Sequence, residues 1–77
     1  MENLLLVMAR GLVENPDEVR VDVDDANEKG VVVYHLHVAP SDMGRVIGKQ
    51  GRIAKAMRAV MRSAAIRNKS KIMVEID

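Results

Sequence analysis

The chain contains no cysteine, no tryptophan and no phenylalanine, and Tyr34 is its only aromatic residue. Without cysteine there is no disulfide to staple the fold, no thiolate nucleophile and no zinc–thiolate site. A small domain without staples suits a reducing compartment, so a cytoplasmic protein is expected. With one aromatic ring, base stacking cannot be the main mode of nucleic-acid binding, which disfavours RRM platforms and OB-fold single-strand binders. Long apolar runs are missing too. Leu4 to Ala9 is too short to span a membrane, and it follows Glu2 where a secretory signal would carry Lys or Arg. Length itself is scarce: 77 residues make room for one domain, expected to fill 1–77. Such a domain buries only ~60% of its unfolded surface, so its core is thin. No nucleophile–base pair, metal-ligand cluster or paired carboxylates can be placed in it, so no enzyme, cofactor or metal site is expected.

Hydrophobic residues nevertheless make up 48% of the chain, too many for a disordered tail. Residues 3–14 form a helix that is apolar on almost every side through Leu4, Leu5, Leu6, Val7, Met8, Leu12 and Val13. Such a helix calls for burial on more than one side, against a partner subunit or else with some leucines left exposed. Asn15-Pro16-Asp17 stops it. Val19, Val21 and Val23 alternate with Arg20, Asp22 and Asp24 as a half-buried strand. The polar stretch 25–30 is a hairpin loop. Val31 to Val38 is a second strand, with Val32, Tyr34, Leu36 and Val38 on one face and Val31, Val33, His35 and His37 on the other. Ser41 is placed to cap a short helix over Asp42 to Ile47 that stops at Gly48. A longer helix from Gly51 to about Arg67 carries an apolar stripe of Ile53, Met57, Val60 and Ala64, widened by Ala54 and Met61. Ile72, Val74 and Ile76 alternate with polar neighbours as a last strand. The order is α-β-β-α-α-β. The expected fold class is α+β, with a three-stranded sheet carrying three helices on one face.

The formal net charge is +1, which on its face argues against a polyanion ligand. The average hides a split. Residues 1–42 hold three basic against nine acidic side chains, a net of −6, and residues 43–77 hold nine basic against two acidic, a net of +7. On the long helix Lys55, Arg58 and Arg62 lie within about 60° of one another at 100° per residue. With Arg52 and Lys49 at its start, they make a basic ridge that begins at Gly48-Lys49-Gln50-Gly51. A basic ridge alone is often only a solvated helix face. The glycines change its meaning. They let a ligand backbone approach closely and let the turn adopt positive φ. The following helix turns its N-terminal N–H groups and positive dipole end to that spot. Lys49 adds a mobile cation and Gln50 a neutral donor, a combination suited to a sugar–phosphate backbone.

The run Val46-Ile47-Gly48-Lys49-Gln50-Gly51-Arg52-Ile53 resembles the I-G-x-x-G signature of KH domains. The element order is similar to the type II, prokaryotic arrangement. The whole chain, and 39–56 above all, resembles the small bacterial KH proteins of the KhpA type. The resemblance implies that Gly48, Lys49, Gln50 and Gly51 clamp the backbone of about four nucleotides of single-stranded RNA. It implies one groove wall of Arg45, Val46, Ile47 and Ile53, joined by Arg52 and Lys55 where the ridge starts, and an opposite wall from the second strand. KH grooves read bases by hydrogen bonds and apolar contact, so the lack of aromatics is no obstacle. The resemblance further implies a global RNA-binding or RNA-chaperone role in post-transcriptional regulation, and a homodimer or a KhpB-type KH protein as partner. The alternative is a dimerisation or docking module with little RNA binding of its own, favoured by the apolar first helix and by Ile66, which falls among the charges.

Other constellations fit less well. Gly44 and Gly48 are one residue too close for a P-loop, and Gln50 stands where Ser or Thr would hold magnesium. His35 and His37 share a side of a strand but lack a third ligand, so an exposed sheet face explains them. The aspartates at 22, 24 and 25 lack the glycine and terminal glutamate of a calcium loop. A DNA-binding helix-turn-helix normally sits in an all-helical domain, and three strands argue against it.

Overall fold

Alternating valines build the sheet. The computed structural model describes residues 1–76, with only the backbone described at Lys49. Strand β1 (Arg20–Val23) pairs antiparallel with β2 (Val31–His37), setting Val21 against Leu36 and Val23 against Tyr34. The turn between them is fastened by Asn27, whose Oδ1 accepts from the backbone N–H groups of Lys29 and Val31 at 2.9 and 3.1 Å. β2 pairs in parallel with β3 (Lys71–Ile76), setting Val32 against Ile72, Tyr34 against Val74 and Leu36 against Ile76. A parallel neighbour requires a long crossover, and the helix α2 (Pro40–Arg67) supplies it. The strand order is β1-β2-β3, so β2 is central and both of its edges are used.

The expected α+β architecture is present, three-stranded sheet and helices included. Helix α1 (Glu2–Leu12) and α2 pack on the face made by Tyr34, Leu36, Val38 and Val74. Leu5 and Ala9 are the buried part of α1, while Leu4, Leu12 and especially Val7, 69% exposed, remain in contact with solvent. A single turn of 3-10 helix (Pro16–Glu18) follows α1 where Asn15-Pro16 interrupts it. Among the described residues no helix is long and apolar enough to cross a membrane.

Three local expectations are corrected. The short and long helices run together as one 28-residue helical segment, and its interruption is confined to Gln50 at φ 65° and Gly51 at φ 69°. Gly48 is not among the positive-φ residues, so helical backbone continues through it. The buried stripe of the second arm is Ala54, Met57, Met61 and Ala65, and Val60 is exposed. Stripes one residue apart differ by only about 100° around the axis, and the contact with β3 chooses between them. Ser41 is not the cap: the helix begins at Pro40 after Ala39, without a side-chain cap.

Within α2, Gly51 is the position where the backbone favours glycine. A Cβ built there meets nothing within 4 Å, so Gly51→Ala creates no clash, but it forces an L-residue to φ +69°. The expected cost is about 1 kcal/mol of folding stability. Chemical denaturation measures it, and an unchanged midpoint would show that the junction relaxes.

Candidate nucleic-acid interface

Two glycines one helical turn apart open a groove on the first arm of α2. Gly44, Arg45, Gly48, Arg52 and Ile53 line it. Four of these belong to the predicted set. Gly44 was missed; its signal is its spacing, since Gly44 and Gly48 at i and i+4 bare one helix face. The groove's ends differ in chemistry. Arg45 and Arg52 bring positive charge, and half-buried Ile53 brings apolar surface. Ile47 is 47% exposed beside it. Val46 is wholly buried in the core, so it supports the groove from beneath. Gln50 is exposed, Gly51 half-buried, and Lys55 exposed one turn further along. The Lys49 side chain lies outside the described part of the structure.

None of the residues lining this groove belongs to the second strand. β2 lies between two strands, and its Tyr34, Leu36 and Val38 are consumed by the core. The strand beside the basic ridge is β3, whose outer edge is unpaired among the described residues. A second cleft runs there, lined by Arg58, Arg62, Ile72, Met73 and Val74, and Arg58 Nε donates to the Val74 carbonyl at 3.4 Å. Lys55, Arg58 and Arg62 are all exposed, so the ridge is solvent-facing from groove to cleft.

One buried polar side chain anchors this end of the molecule. Asp42, 1% exposed, accepts from the Glu14 backbone N–H through Oδ1 at 3.0 Å. Its Oδ2 accepts from the Asn15 backbone N–H at 3.0 Å and from Asn15 Nδ2 at 3.1 Å. Asn15 Nδ2 also donates to Ser41 Oγ at 3.0 Å. Burial alone would raise the Asp42 carboxyl; the hydrogen bonds from Glu14 and Asn15 and the nearby Arg45 charge outweigh it and hold the group below its ordinary value. Sequence inspection passes over Asp42 as one of many acidic residues. The available clue is its place in the first helical turn after Pro40, near a chain reversal at Asn15-Pro16.

The opposite face of the sheet has different chemistry. His35 sets Nε2 at 2.7 Å from Asp24 Oδ2 and Nδ1 at 3.3 Å from Glu75 Oε2. His37 Nε2 lies 2.9 Å from Asp22 Oδ2. These carboxylates occupy the imidazoles across β1, β2 and β3, in keeping with an exposed sheet face.

The sequence profile of the family described as KhpA/KhpB, KH domain, matches residues 2–76. The chain is 47% identical over 76 residues to the RNA-binding protein KhpA of Clostridium acetobutylicum, covering 99% of each chain. Identity is 45% over 76 residues to the RNA-binding protein KhpA of Caldanaerobacter subterraneus, again covering 99% of each. It is 38% over 76 residues to the RNA-binding protein KhpA of Bacillus subtilis, covering 99% of this chain and 91% of that relative. No solved structure matches the chain.

Proposed function

Because the chain belongs to the KhpA/KhpB KH-domain family, we propose that it is a single-stranded RNA-binding module that works by binding and not by catalysis. The observation that carries this reading is the groove of Gly44, Arg45, Gly48, Arg52 and Ile53 at the left-handed junction of α2. Bare glycines admit a sugar–phosphate backbone, and the second arm aims its positive dipole end at the same place. The segment Gly48-Lys49-Gln50-Gly51 clamps the backbone of about four nucleotides. Bases rest against Ile47 and Ile53, and the strand leaves along the ridge of Lys55, Arg58 and Arg62 towards the free edge of β3. Whole-chain use of one KH domain, cytoplasmic residence and a general RNA-binding or RNA-chaperone role in post-transcriptional regulation complete the reading.

The test is affinity for a short single-stranded RNA measured against salt. Contact with about three phosphates predicts a slope of log affinity against log salt of roughly −2. A slope near zero would contradict a backbone clamp.

A specific observation also favours self-association or pairing with a KhpB-type protein. Ile66 is 70% exposed on α2 between the exposed Arg62 and Arg67, and Val7 is nearly as exposed on α1. Pairing would place two weak grooves on one RNA and raise avidity. Sedimentation of the wild type and Ile66→Asp is expected to show a dimer that the substitution converts to monomer. Monomer in both would remove the self-association half of this reading.

A further inference from the structure

The groove's Arg45 is not idle: its Nη2 contacts Oε1 of Glu14, a residue 31 positions earlier in the chain. Glu14 reaches this spot because the corner after α1 is latched from below. Asp42 holds the backbone N–H groups of Glu14 and Asn15, and Ser41 and Asp42 hold the Asn15 side chain. Asp42 and Arg45 are three residues apart on one arm, so they share a helix face. The latch therefore delivers the Glu14 carboxylate to a guanidinium that lines the groove. The two side chains are 69% and 49% exposed, so solvent and salt screen the pair and keep it weak. A carboxylate and a phosphate offer a guanidinium the same planar pair of acceptor oxygens.

We propose that Glu14 is an internal stand-in for RNA phosphate: it occupies Arg45 in the free protein, is displaced when RNA enters, and thereby sets the affinity of the groove. The inference rests on the reading that this groove binds RNA. Displacement has a defined consequence for salt dependence. When phosphate takes Arg45, the Glu14 carboxylate returns to water and gathers its own cations, which offsets part of the counterion release. Removing the carboxylate restores that release.

The experiment compares wild type, Glu14→Gln, Arg45→Gln and the double variant by fluorescence anisotropy with a labelled single-stranded RNA of mixed sequence. Circular dichroism confirms that each is folded. Glu14→Gln is expected to tighten binding roughly two- to five-fold at low salt, the size of a weak exposed pair. Its salt slope should steepen, by less than the ~0.7 that one phosphate contributes for a single strand. Arg45→Gln should weaken binding, and Glu14→Gln added to it should have no further effect. Unchanged or weaker binding by Glu14→Gln overturns the proposal. So does tightening that persists in the double variant, which would assign the effect to overall charge. The loop variant Lys49→Asp with Gln50→Asp separates the two levels. If it loses RNA while Glu14→Gln fails to tighten, only this inference falls; if it binds RNA like the wild type, the groove reading falls with it.

Discussion

Lys49→Asp combined with Gln50→Asp is expected to weaken binding of single-stranded RNA by roughly 100-fold while the protein stays folded. The substitutions remove one positive charge and add two negative ones at the bare-glycine junction of α2. Like charges set against each other at an interface cost several kcal/mol, which is the source of the expected loss. The fold should tolerate the change for a stated reason. Gln50 already holds φ 65°, and aspartate is among the few L-residues that adopt this region readily. Gln50 is also exposed, so no core contact is lost. Anisotropy against RNA, with thermal melting as the fold control, reads both halves. A folded variant that binds like the wild type would mean that the junction does not touch RNA.

Asp42→Ala is expected to be the most damaging polar substitution to stability. It removes the acceptor for two backbone N–H groups and for the Asn15 side chain at once, and it leaves those donors facing a small cavity. For a domain of this size the melting temperature should fall by roughly 10 °C at neutral pH. The effect depends on pH in a defined direction. The folded carboxyl lies below its ordinary value of 3.8, so its contribution is fully present above that value. It disappears as pH falls through the lower folded value, where the native state takes up the proton that the unfolded chain has already bound. The gap between wild type and Asp42→Ala should therefore narrow on acidification below about pH 4. A gap that stays constant down to pH 2 would show that shape and not charge at Asp42 matters.

The strands were legible because alternation is local. Val19 to Val23, Val31 to Val38 and Ile72 to Ile76 each present one apolar face, and that face packs into the core in the structure except at Val23, which is 40% exposed. Gly51 was legible because a left-handed backbone favours glycine, whereas Gly48 continues the helix. What failed depended on partners far away in the chain. Val60 and Ala65 are equally good stripe residues until β3 selects a side. Ser41 has the chemistry of a cap, but its hydroxyl is taken by Asn15, 26 residues earlier. Glu14 carries no local mark and Asp42 only its place in the first helical turn, since their roles arise only when the corner after α1 meets the first turn of α2.

The central claim is that RNA lies across the junction of the two arms of α2. Amide chemical shifts of the labelled protein, followed while single-stranded RNA is added, test it residue by residue. The expected result is a set of saturating shifts over residues 44–55, extending to Arg58 and Arg62, with the imidazole face of β2 at His35 and His37 unmoved. Shifts centred on that sheet face, or on Leu4 and Val7 of α1 with 44–55 silent, would contradict it.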